Sequence, residues 1–303
     1  MREWGSRSGI IVGMDETTFS FAAADGSDIA VYRWTGDGEP RALVQIAHGM
    51  GEHAARYRRL AEALTAAGYV VYANDHRGHG RTAGSTDHHG DLGPGGWAGL
   101  VSDLGELGAI ARREHPGLPL VVIGHSMGSF ALQGHLLDHS ADVDAAVLSG
   151  STAIDVIAPG IDPTKEVDLS AFNASFEPAR TEYDWLSRDP DEVDAYVADA
   201  ACGFGLNPHG TASMLDGLAD TGDSARLAGI RSDLPIYLLS GDADPLAGGG
   251  ALIELVADRY RQAGVADVTV ALYPGARHEV FNETNRDEIT ADLVTWLDRI
   301  TRR

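Results

Sequence analysis

The pentapeptide Gly124-His125-Ser126-Met127-Gly128 sets a serine between two glycines, directly after an apolar run over residues 118–123. A G-x-S-x-G pattern between a strand and a helix puts the serine on a tight, strained turn. Side chains at the flanking positions would collide with neighbouring backbone there, so both are glycine, and the hydroxyl stands above the sheet edge. The chemistry this offers is acyl transfer. A serine alcohol is a weak nucleophile at neutral pH; it needs a base within hydrogen-bond reach, and the base needs a carboxylate to orient it.

Both partners are present on loops after later strands, in the chain order serine, acid, histidine. His278 follows a strand expected over 268–273 and is the candidate base, one of twelve histidines in the chain. The loop Ser240-Gly241-Asp242-Ala243-Asp244-Pro245 follows a strand expected over 235–239 and offers two acids. Either can reach His278 by distance alone. Asp244 lies deeper in the loop and is preferred, with Asp242 serving the turn. The tetrahedral oxyanion needs backbone N–H donors. One is expected from Met127, just after the nucleophile. The other is expected from Met50, in His48-Gly49-Met50-Gly51, where flanking glycines let the backbone approach substrate.

Positioning these groups takes an alternation of strands and helices. Strands are expected over 17–24, 28–34, 41–47, 69–73, 118–123, 145–148, 235–239 and 268–273. Tyr57, Leu60, Ala61 and Leu64 fall on one face of a helix over 56–67 that stops at Gly68. Further helices are expected over 99–113, 129–137, near Leu252–Tyr260 and around Ile289–Ile300. Regularity breaks over 151–232, where prolines and aromatics interrupt two short helices near 191–200 and 212–218. The expected domain plan is a core over 1–150 and 233–303 with a helical cap over 151–232. The first dozen residues are expected as a loose tail, with Met14 an alternative start.

Composition narrows the function classes. The 303 residues carry 23 Lys plus Arg against 45 Asp plus Glu, a formal net charge of −22. Such a surface repels nucleic acid and anionic lipid. No apolar run is long enough to span a membrane, and the N-terminus lacks a signal-peptide core. The single cysteine, Cys202, excludes an intramolecular disulfide and fits a cytoplasmic location. Asp75-His76-Arg77-Gly78-His79-Gly80 and His88-His89 match no trusted zinc spacing. The first is expected to buttress the oxyanion loop, while Glu52 and His53 are expected to cap the following helix. Cys202 is expected as a packed cap residue. Neither metal nor cofactor is expected, and oligomeric state is left open.

Five segments together resemble the monoacylglycerol lipase/lysophospholipase-like α/β hydrolases, also grouped with serine aminopeptidases. They are His48-Gly49-Met50-Gly51-Glu52-His53, Asn74 to Gly80, Gly124 to Gly128, Gly241 to Pro245, and Arg277-His278-Glu279. The resemblance implies an α/β-hydrolase fold: a mostly parallel eight-stranded sheet flanked by helices, with a cap over an apolar acyl channel. It implies Ser126 as nucleophile, Asp244 as acid, His278 as base, and Met50 and Met127 as oxyanion donors. The expected activity is hydrolysis of a small-molecule ester or lipid monoester through an acyl-enzyme. Lysophospholipase, thioesterase, peptidase, perhydrolase and carbon–carbon hydrolase activities share the triad. A non-catalytic binding protein would be expected to lack a triad member, and none is missing.

Overall fold

In the computed structural model, residues 13–301 are described; the expected N-terminal tail lies outside them. Eight strands form one sheet: β1 (Asp15–Ala22), β2 (Asp28–Thr35), β3 (Ala42–Ala47), β4 (Tyr69–Asn74), β5 (Leu120–His125), β6 (Ala145–Ser149), β7 (Ile236–Gly241) and β8 (Val268–Tyr273). Their spatial order is β1-β2-β4-β3-β5-β6-β7-β8. β2 runs antiparallel to β1 and to β4, and every later pairing is parallel. This is the α/β-hydrolase sheet.

The parallel strands read as continuous apolar runs because both of their faces are covered. In β5, Val121 and Ile123 join one core with Leu60, Leu64, Leu293 and Leu297. Leu120 and Val122 join the opposite core with Leu104, Leu132 and Leu136. The helices Arg58–Ala66 and Arg286–Thr301 cover the first face, and Gly96–Glu114, Met127–His139 and Ala251–Gln262 cover the second.

Boundaries shift where local chemistry differs from the sequence reading. β5 starts at Leu120 because Pro119 has no N–H to donate; its carbonyl still accepts from Leu43 N at 2.8 Å. The helix expected from residue 129 starts at Met127. Ser126 takes the cap position, and its carbonyl accepts from Ser129 N at 2.8 Å and Phe130 N at 3.1 Å.

Between β6 and β7 the described chain holds no strand. It holds short helices Ile154–Ile157, Pro190–Ala198, Pro208–Leu218 and Ser224–Leu227, and a 3-10 segment Leu169–Phe176. The third helix begins four residues before the expected 212, because Pro208 suits a first turn and Asn207 caps it by accepting from Gly210 N. Asp189 caps Pro190–Ala198 in the same way, accepting from Asp191 N.

Candidate active site

The C-terminal ends of the parallel strands converge on one pocket lined by Met50, Ser126, Met127 and His278. Ser126 holds φ 50° and ψ −121°, the one positive φ on a non-glycine among the described residues. A backbone held there costs about 1–3 kcal/mol and persists only where its surroundings enforce it. They do: Ser126 N donates to Ser149 O at 2.9 Å. A Cβ on Gly124 would strike the backbone of Gly128 and Ser129, and one on Gly128 would strike the carbonyls of Ala47 and His48. The two glycines of the motif are therefore a steric requirement of the crossing between β3 and the helix after β5.

His278 and Asp244 are both 2% exposed. Their loops, after β8 and β7, bring His278 Nδ1 to 2.9 Å from Asp244 Oδ2. The other oxygen of Asp244 accepts from Leu246 N at 2.9 Å. Asp242 is exposed and accepts from Gly275 N at 2.6 Å, which ties the two loops together without touching the imidazole. The His278 ring packs between Trp185 and His125, each with ring centroids 4.8 Å away. Burial acts to lower the His278 pKa. Asp244 first, then Glu279 and Glu52, outweigh it and hold the imidazole above its ordinary 6.5. Burial, helped by neighbouring His278, pushes His125 down to about 4, so this second ring stays neutral.

The loop after β3 is pinned by a network that the sequence reading missed. Glu52 was expected to cap a helix. Instead its Oε1 accepts from Gly49 N at 2.6 Å and from Tyr57 OH at 2.8 Å. Its other oxygen holds Arg56 at 2.7 Å, and Arg56 makes a two-pronged contact to Glu279 at 2.5 and 2.8 Å. His53 makes no side-chain cap either; its Nε2 lies 2.9 Å from Asp199 Oδ2. Gly49 N is thus occupied, and Met50 and Met127 both line the pocket. Met127 opens its helix, so its N–H has no partner one turn back.

The Asp75 to Gly80 run packs beneath that loop. His76 N donates to His48 Nε2 at 2.9 Å, and His76 Nε2 donates to the His48 carbonyl at 3.1 Å. Asp75 accepts from Ala54 N and Arg81 N at 2.8 and 2.7 Å. Burial pushes His76 down to about 3 and His79 down to about 4, so these rings act as neutral hydrogen-bonding struts.

Residues 38–285 match the serine aminopeptidase (S33) family. The chain belongs to this family. Within it, the chain is 36% identical to the monoacylglycerol lipase of Mycolicibacterium smegmatis, over 95% of this chain and 99% of that protein. It is 30% identical to the human monoglyceride lipase, over 92% and 89% respectively. A thermostable carboxyl esterase from Bacillus coagulans, solved with glycerol, superposes with a TM-score of 0.84 at 29% identity, covering 94% of this chain and 99% of that one.

In this chain, residues at the strand ends and residues of the segment between β6 and β7 line the same pocket. Ile154, Ile157, Val167, Leu169, Phe172 and Met214 from that segment give the pocket an apolar lining. Glu52, His125, Tyr196 and Glu279 also line it. Trp185, absent from the sequence-derived site, lines the pocket and packs against the His278 ring. Its backbone carbonyl accepts from His278 N at 3.3 Å, so this segment also holds the base loop. No described helix is long and apolar enough to cross a membrane.

Proposed function

We propose that this protein, a carboxylic ester hydrolase, acts on monoesters of medium or long fatty acids with a small polar alcohol, monoacylglycerols among them, through Ser126, His278 and Asp244. The observation that carries this reading is the pocket at Ser126. Its lining is mostly aliphatic and aromatic, which suits an acyl chain beside the nucleophile. The names of the Mycolicibacterium smegmatis and human relatives agree with it. Residues 151–232 act as a cap that closes over the acyl chain.

His278 takes the proton of Ser126 as its oxygen attacks the ester carbonyl. The imidazolium formed is stabilised by Asp244, and the raised pKa of His278 favours this transfer. The N–H groups of Met50 and Met127 hold the oxyanion. His278 then protonates the departing alcohol, leaving the acyl group on Ser126. Water, deprotonated by His278, releases the acid. A net charge of −22 suits an uncharged ester and disfavours a polyanionic partner.

The test is kcat/KM across p-nitrophenyl esters from acetate to palmitate, with monoacylglycerols assayed beside them and Ser126→Ala as control. A maximum at medium or long chains that vanishes in the variant supports the reading. A maximum at acetate or butyrate sinks it and makes the protein a small-ester carboxylesterase.

A further inference from the structure

The junction between the cap segment and the oxyanion loop carries a group of side chains that ester hydrolysis does not use. Gly203 N and Tyr196 OH both donate to Gly51 O, at 3.0 and 2.8 Å. Beside this seam a ring nitrogen of His53, a carboxylate oxygen of Asp199 and the Cys202 sulfur all lie within 4.8 Å of one another. His53 and Asp199 are 146 residues apart in the chain, and their side chains meet at 2.9 Å. All three are half-buried, shielded from bulk water yet within reach of an ion.

Imidazole nitrogen, carboxylate oxygen and thiolate sulfur are together a donor set for a borderline-soft divalent cation, above all Zn²⁺. Bond lengths of about 2.0–2.3 Å place tetrahedral ligand atoms within about 4 Å of one another, so small rotamer changes close this triplet on a metal, with water as fourth ligand. Asp199 is already oriented: its Oδ1 accepts from Ala201 N at 2.8 Å, which leaves Oδ2 facing His53. The nearby Arg56 charge opposes a cation at the sulfur, and its contacts to Glu52 and Glu279 set two carboxylates against it. Those two carboxylates and Asp199 make the surroundings of the sulfur favourable to a cation.

We propose that His53, Asp199 and Cys202 bind Zn²⁺ or a similar thiophilic divalent cation, clasping the cap segment to the loop that bears Gly49 and Met50. Binding replaces the Cys202 S–H by an S–metal bond and releases the proton to solvent. Metal coordination is what ionises this sulfur; without it, burial keeps the thiol protonated against the pull of Arg56.

Co²⁺ titration of the full chain tests the site without reference to substrate. A one-to-one thiolate-to-cobalt charge-transfer band in the near ultraviolet is expected, displaced by Zn²⁺ and retained in Ser126→Ala. Cys202→Ser should abolish the band. His53→Ala and Asp199→Asn should each weaken Zn²⁺ binding by about tenfold or more, and the rise in Tm on adding Zn²⁺ should shrink with them. Asp199→Asn keeps the side-chain shape and decides the matter if Cys202→Ser does not fold. Absence of the band in folded wild type overturns the proposal. So does Zn²⁺ affinity unchanged by His53→Ala and Asp199→Asn, which would mean a lone thiol binding the ion.

Discussion

The sheet and the segment between β6 and β7 contribute to the same pocket by different physics. The sheet places Ser126, Asp244 and His278 at strand ends, where backbone ladders and two buried cores allow little movement. The segment contributes side chains from short helices and 3-10 turns, held by single caps such as Asp168, Asp189, Asn207 and Asp223. Rigid ladders suit atoms that must meet within tenths of an ångström; short capped elements suit a wall whose shape sets substrate choice. The difference separates turnover from selection: substitutions on the sheet side should change kcat, and those on the segment should change which ester is preferred.

The largest effect expected is from Ser126→Ala, a loss of kcat on the order of 10⁶-fold in ester hydrolysis, with Tm near wild type. Residual turnover above background at that level would break the division at its root. Asp244→Asn should cost about 10⁴-fold, whereas Asp242→Asn should stay within a few fold, because its contact is to Gly275 N alone. Equal losses in the two would mean that the exposed acid also serves the base.

Glu52→Gln removes a charge from the clamp on Gly49 and should lower kcat by roughly tenfold, less than the hundredfold or more that follows outright loss of an oxyanion donor. KM should change little, which steady-state kinetics on one good ester will show. On the segment, Met214→Trp should shorten the preferred acyl chain and leave kcat for acetate within about threefold, since the larger side chain fills pocket space without touching the triad's hydrogen bonds. A fall in acetate turnover matching Ser126→Ala would contradict the proposed separation.

The smallest effect concerns pH. His278 works as a base only when neutral, so kcat/KM should rise with pH through its pKa. Because its carboxylate neighbours raise that pKa, the acid limb should lie above 6.5. Glu279→Gln takes away one raising charge and should move the limb to lower pH. A limb that stays in place or moves upward would show that Glu279 is not one of the charges raising this pKa.

Much of the sheet side is legible in the chain. Parallel buried strands leave unbroken apolar runs, and each of the eight strands lies where such a run or alternation stands in the sequence. The segment is less so. Pro208 reads as a breaker when it is a helix start, and Ile154–Ile157 and Ser224–Leu227 are too short to show a helical period.

For the site, the chain by itself determined what local sterics dictate. Gly124 and Gly128 leave room that no other residue would, so Ser126 is marked as an exposed hydroxyl on a strained turn before any fold is known. Acid and base follow from their places after β7 and β8. What the tertiary structure alone decided is which distant groups meet. It turned Glu52 from a helix cap into a partner of Gly49, set Trp185 against the imidazole, and brought His53 to Asp199 and Cys202. The reason is range. Backbone crowding acts between neighbours in the chain, whereas these pairings depend on how two cores and a capped segment pack together, and residue spacing carries no record of that.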